Sequence, residues 1–126
     1  MASPASVRFD LEDRLLAFSV GILRLSERLH KTRAANYIAD QLLRASLSPL
    51  LNHGEAQGAE SSRDFVHKLS ICLKELNESK RCLRIVVAVP LADSQAEAKE
   101  LLAECEELVK IFGASIQTVK RKRKGT

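Results

Sequence analysis

Tryptophan is absent from this chain, tyrosine occurs once, and aromatic residues fill only 4% of its 126 positions. A core must therefore be assembled from Leu, Ile, Val and Ala, which suits a helix bundle better than an aromatic-rich sheet. The three cysteines, Cys72, Cys82 and Cys105, are an odd number with no close pair, which excludes a disulfide framework and a CxxC motif and leaves them as small core residues. No stretch approaches the roughly 18 apolar residues of a membrane span, and MASPASVRFD lacks the basic start and apolar run of a leader, so a cytoplasmic protein is expected. His30, His53 and His67 fall in three separate segments without ligand spacing, so no metal site is expected. Gly-rich phosphate loops, nucleophile elbows and Ser or Cys at motif spacing from a His are also missing. These absences argue against an enzyme and against a cofactor.

What remains is an apolar fraction of 45% and a charged fraction of 29%, the balance of one folded domain. The expected fold is all-α, an antiparallel up-down-up-down four-helix bundle over residues 10–119, between a flexible arm at 1–9 and a basic tail at 120–126. In the first helix, Asp10 reads as an N-cap, and Leu11, Leu15, Phe18, Ile22, Leu25 and Leu29 alternate steps of four and three up to about Lys31. In the second, Thr32 can cap and Ala35, Ile38, Leu42, Ala45 and Pro49 continue the pattern. Pro49 removes one backbone hydrogen bond and predicts a bend, while Gly54 and Gly58 mark the end. Ser61 and Asp64 resemble a capping box before Phe65, Leu69, Cys72, Leu76, Ser79, Leu83 and Val86, with Pro90 as the stop. Ser94 and Glu97 form a second such box before Ala98, Leu101, Cys105, Leu108, Phe112 and Val119.

Charge is unevenly placed. Lys120, Arg121, Lys122, Arg123 and Lys124 supply more positive charge than the whole surplus of +4. Adjacent cations neutralise phosphates and release condensed counterions, so a nucleic acid is the natural partner, bound with little base specificity because no aromatic is interleaved in the tail. Arg24, Arg28, Lys31 and Arg33 form a second basic group, and Arg44 completes the candidate contacts. Opposite them, Glu97, Glu100, Glu104 and Glu107 make an acidic stripe on the last helix, and spacing leaves open whether the two stripes meet or face water. Glu75 and Glu78 stand three apart on the third helix, where nearby Lys74, Lys80 and Arg81 suggest salt bridges rather than catalysis.

The stretch Gln41-Leu42-Leu43-Arg44-Ala45-Ser46-Leu47-Ser48-Pro49-Leu50-Leu51-Asn52, with Glu55, then Ser61-Ser62-Arg63-Asp64-Phe65, Leu69 and Leu73-Lys74-Glu75-Leu76-Asn77-Glu78, resembles the four-helix bundle family encoded in intervening sequences of bacterial 23S ribosomal RNA genes. Phe9-Asp10-Leu11 is a weaker echo. The resemblance implies a ring-shaped homopentamer related to the accessory variability proteins of diversity-generating retroelements, which bind nucleic acid and a reverse transcriptase. It makes Arg44, Asn52 and Glu55 structural or interface signatures, with no catalytic role. Here the glycine of the usual Asn-x-x-Glu-Gly has moved, since His53, Gly54, Glu55 and Ala56 follow Asn52. Two functions follow as expectations: a homo-oligomeric RNA- or DNA-binding protein, or an adaptor whose main partner is another protein, such as a reverse transcriptase.

Overall fold

Each of the four apolar stripes becomes one helix. The computed structural model describes the backbone of residues 4–125 and side chains from Leu11 to Lys124, in the order α1 (Pro4–Arg28), α2 (Arg33–Gln57), α3 (Ser62–Ala88) and α4 (Ala96–Gly125). Contacts between helices fix their directions. Glu12 meets His53, Ser46 meets Ser79, Pro49 meets Cys72, Leu76 meets Cys105, and Arg28 meets Glu97. With short links between consecutive helices, these pairs make every neighbour antiparallel. Each helix packs on its two neighbours, the α2–α3 and α3–α4 seams being the most extensive and α1–α4 the least.

The caps explain where the helices begin. Thr32 Oγ1 accepts from the Ala35 amide at 3.1 Å and Ser61 Oγ from the Asp64 amide at 3.0 Å, each satisfying a donor that has no partner within the helix. Four expectations need correction. Asp10 does not cap α1, because the helix already runs from Pro4; a proline is tolerated in the first turn, where its missing N–H would be unpaired anyway. The first three residues of the expected arm lie outside the described residues. At its other end α1 stops at Arg28, not Lys31, because Leu29 bridges Ala92 and the His30 amide donates to the Leu91 carbonyl at 2.7 Å. Ser94 Oγ reaches the Ala96 amide at 3.3 Å, but Glu97 turns away to Arg28, so the second capping box is only half made. Lastly, α4 continues through 120–124 to Gly125, so the basic tail is helix.

Leu15, Phe18, Ile22, Leu25, Leu42, Leu76, Leu83, Val86, Leu108 and Phe112 fill the axis of the bundle almost without exposure. Cys72 and Cys105 lie among them, and burial pushes both thiols up to about 12, so they behave as apolar fillers. His53 is also buried, with Nδ1 3.2 Å from Glu12 Oε2 and its ring edge-on to Phe112 at 6.0 Å. It thus joins α1, α2 and α4. Among the described residues no His, Cys, Asp or Glu group is arranged to hold a metal, and no helix is long and apolar enough to cross a membrane.

Along the α2–α3 seam the apolar pattern is interrupted twice, and the interruptions face each other. Ser46 Oγ donates to Ser79 Oγ at 2.9 Å, and Ser79 Oγ donates to the Glu75 carbonyl at 2.9 Å. Three residues further along α2, the buried Pro49 lies inside an unbroken helix, and its carbonyl accepts from Cys72 Sγ at 3.5 Å. Replacing Ser79 by Ala strands the Ser46 hydroxyl and is expected to cost about 1–3 kcal/mol in urea unfolding. The double variant S46A/S79A should lose less than the sum of the two single changes, because neither hydroxyl is then left alone.

Candidate nucleic-acid interface

The structure does not gather the nominated cations onto one surface. Arg24 and Arg28 lie on the second half of α1, Lys31 and Arg33 at the turn into α2, Arg44 midway along α2, and Lys120 to Lys124 in the last turns of α4. Because α4 starts beside the end of α1 and rises about 1.5 Å per residue, its basic end stands roughly 37 Å from the Arg28–Glu97 contact.

Around Arg24 and Arg28 the field is mixed. Arg28 is paired with Glu97, and Arg24 shares a groove of about 290 Å³ with Glu97, Glu100 and Glu104. A larger concavity of about 590 Å³ beside it is lined by Arg28 together with Asp93, Glu97 and Glu100. Carboxylates outnumber guanidinium groups there, which opposes a phosphate. The opposite stripes of α1 and α4 therefore meet within one bundle. Their other anchor, not among the residues expected from the sequence, is Arg14, which holds Glu104 through Nε at 2.9 Å and Nη2 at 2.7 Å. Its signal was available: Arg14, Gly21 and Arg28 recur every seven residues on the flank facing α4. Between the two pairs, a Cβ on Gly21 would come 2.7 Å from Leu101 Cδ2, so the glycine admits that side chain.

Arg44 is held by α3. Its Nη2 donates to Glu78 Oε1 at 2.5 Å and to Gln41 Oε1 at 3.1 Å, and its Nη1 lies 3.6 Å from Glu75 Oε2. The ion pair raises the Arg44 guanidinium and, through its hydrogen bond, lowers Glu78. Glu75 moves the other way, because burial and the neighbouring Glu78 both disfavour its charge. Arg44 thus neutralises a carboxylate pair across the α2–α3 seam. The salt bridges expected for Glu75 and Glu78 exist, with Arg44 in place of Lys74, Lys80 or Arg81.

Lys120 to Lys124 are all exposed, and Lys120, Arg123 and Lys124 line a shallow depression of about 330 Å³. Cations in a last turn complement the exposed carbonyls and negative end of the helix, which fixes their presence there without any ligand. Their number and their rigid presentation beyond Ile116, the last buried side chain of α4, also suit a polyanion.

Residues 10–114 match the family model of the 23S rRNA-intervening sequence protein. A solved structure of a protein with unknown function from the S23 ribosomal protein family of Bacteroides thetaiotaomicron VPI-5482 is 28% identical, covers 84% of this chain and 97% of its own, and superposes with a TM-score of 0.77. No curated protein matches. Arg24, Arg28, Lys31, Arg33 and Arg44 fall inside the matched stretch and Lys120 to Lys124 beyond it.

Removing the Arg44 cation leaves two carboxylates facing each other. In Arg44→Met the native state should hold the Glu75 proton to higher pH than the wild type does. Stability should then fall as pH rises from the ordinary carboxylate value of 4.5 through that raised value. Thermal melts across mildly acidic to neutral pH should show the variant weaker than wild type at neutrality, with the gap closing as both carboxyls protonate.

Proposed function

Because the chain belongs to the 23S rRNA-intervening sequence protein family, we propose that it is a non-enzymatic, homo-oligomeric protein of the cytoplasm that binds RNA or DNA through phosphates. The observation that carries this reading is the run of exposed cations from Lys120 to Lys124 at the end of a 30-residue helix. A rigid rod ending in several cations meets a phosphate backbone without having to order a flexible tail first. Lys31 and Arg33, at the other end of the bundle, are the second contact; Arg33 lines a groove separate from the acidic concavity, and Lys31 follows His30, whose ring lies 3.0 Å from Asp93. Arg24, Arg28 and Arg44 act mainly within the fold, through the carboxylates described above.

Self-association is supported by apolar side chains left on the outside. Leu16, Val20 and Leu23 recur at steps of four and three on the outer face of α1, with Leu16 51% and Leu23 45% exposed, and Leu51 on α2 is 69% exposed. Such a stripe is covered in a working protein. We take a second copy as the cover, in a ring that the family resemblance makes pentameric. The rival reading, an adaptor for a protein such as a reverse transcriptase, uses the same leucines against a different partner.

Two measurements decide. Replacing Lys120, Arg121, Lys122, Arg123 and Lys124 by Gln should weaken binding to a labelled RNA and flatten its salt dependence by about 0.7–0.9 log unit per lost phosphate contact; unchanged affinity and slope would remove this end from the mechanism. In light scattering, L16E/L23E should reduce an oligomer to monomers without loss of helicity. A wild-type protein that is already monomeric at micromolar concentration would overturn self-association and favour the adaptor.

A further inference from the structure

One concave surface shares only Arg33 with the phosphate contacts above. Between the start of α2 and the end of α3 lies a groove of about 540 Å³ lined by Arg33, Ala34, Tyr37, Ile38, Ile85, Val89 and Leu91. Its floor is supplied by the buried Leu91 and the half-buried Ile38. Its walls are a tyrosine on one side and two aliphatic side chains a helical turn apart on the other. Tyr37 is 64% exposed, Val89 55% and Ile85 44%. Arg33 stands one turn before Tyr37 on the same face of α2, and it is the only charged residue in the lining. No carboxylate is among the lining residues.

Tyr37 is the chain's single tyrosine; it shares the groove with Arg33, and Lys31 stands two residues before Arg33 in the chain. Tyrosine, arginine and an apolar slot make up the platform on which unpaired bases stack: the ring takes the base face, the slot excludes water, and the cation meets the adjoining phosphate. Charge complementarity favours an anionic occupant with a flat apolar part over an uncharged apolar one. We infer that this groove receives an unpaired nucleobase, stacked on Tyr37, with the neighbouring phosphates held by Arg33 and Lys31. The inference rests on the nucleic-acid reading and deepens it. The depression at the far end of α4 is lined by Lys120, Arg123 and Lys124, with no aromatic in that lining, and cations alone cannot tell single strands from duplex. The groove can, because bases in a duplex are already stacked and paired.

The test measures anisotropy of three probes with the full chain: a fluorescein-labelled single-stranded RNA oligomer, a duplex of the same length, and labelled polyphosphate. Tyr37→Ala is expected to weaken single-strand binding roughly tenfold or more, while leaving duplex and polyphosphate binding unchanged. Tyr37→Phe keeps the aromatic face and should bind as wild type. Because Tyr37 is largely exposed, both variants should keep the wild-type melting curve. Equal single-strand affinity of Y37A and wild type, with salt-sensitive binding intact, overturns the base slot and leaves the phosphate contacts standing. A wild-type protein that binds none of the three probes at low salt removes both readings together. A drop in mass for Y37A by light scattering, with single-strand affinity per subunit unchanged, overturns the slot by making the groove a contact between copies.

Discussion

Closure of the bundle depends on how α1 meets α4. That seam is the least extensive of the four, so a few side chains must hold it. Arg28 with Glu97, Gly21 with Leu101 and Arg14 with Glu104 run down it in order, an ion pair at each end and a close approach at the glycine. Partly exposed ion pairs contribute only about 0.2–1 kcal/mol each, so their larger effect is on pairing: they match one flank of α1 to one flank of α4. The same pairing removes Arg28 from the cations that a ligand can use and surrounds Arg24 with carboxylates.

Much of the fold was legible because heptad spacing is a direct image of a buried helix face. Leu15, Phe18, Ile22 and Leu25, or Leu76, Leu83 and Val86, are as buried as their spacing implies, and Thr32 and Ser61 cap as their position before each stripe suggests. Element ends were less legible, because they are decided by contacts distant in sequence. Nothing near Arg28 announces that the helix must stop so that His30 can meet Leu91. Nothing near Val119 prevents α4 from running on, and Lys and Arg are good helix formers. The family suggested by the residues around Pro49 is the one whose model matches residues 10–114, and Pro49 lies in the α2–α3 seam, the most extensive of the four.

The candidate site was harder to read than the fold. A string of residues shows which cations are adjacent in sequence, but not which are already answered. Arg44 looked available and is held by Glu75 and Glu78. Tyr37 carries no signal in the sequence, because one aromatic on a helix has no pattern; only the fold sets it beside Arg33, Ile85 and Val89. The bundle therefore presents two dissimilar ends, one with densely packed charge and one with an aromatic slot beside a few cations.

The facing hydroxyls of Ser46 and Ser79 have a consequence of another kind. Apolar seams between helices are forgiving, since a leucine that slides by a turn meets another leucine much like the first. A hydroxyl that slides meets hydrocarbon. If α3 moved along α2 by one turn, both serines would lose each other inside the core, so the pair acts as a vernier mark that leaves one axial setting favourable. Every neighbour of that hairpin inherits the setting, including the heights at which Tyr37 stands against Ile85 and Arg44 against Glu78.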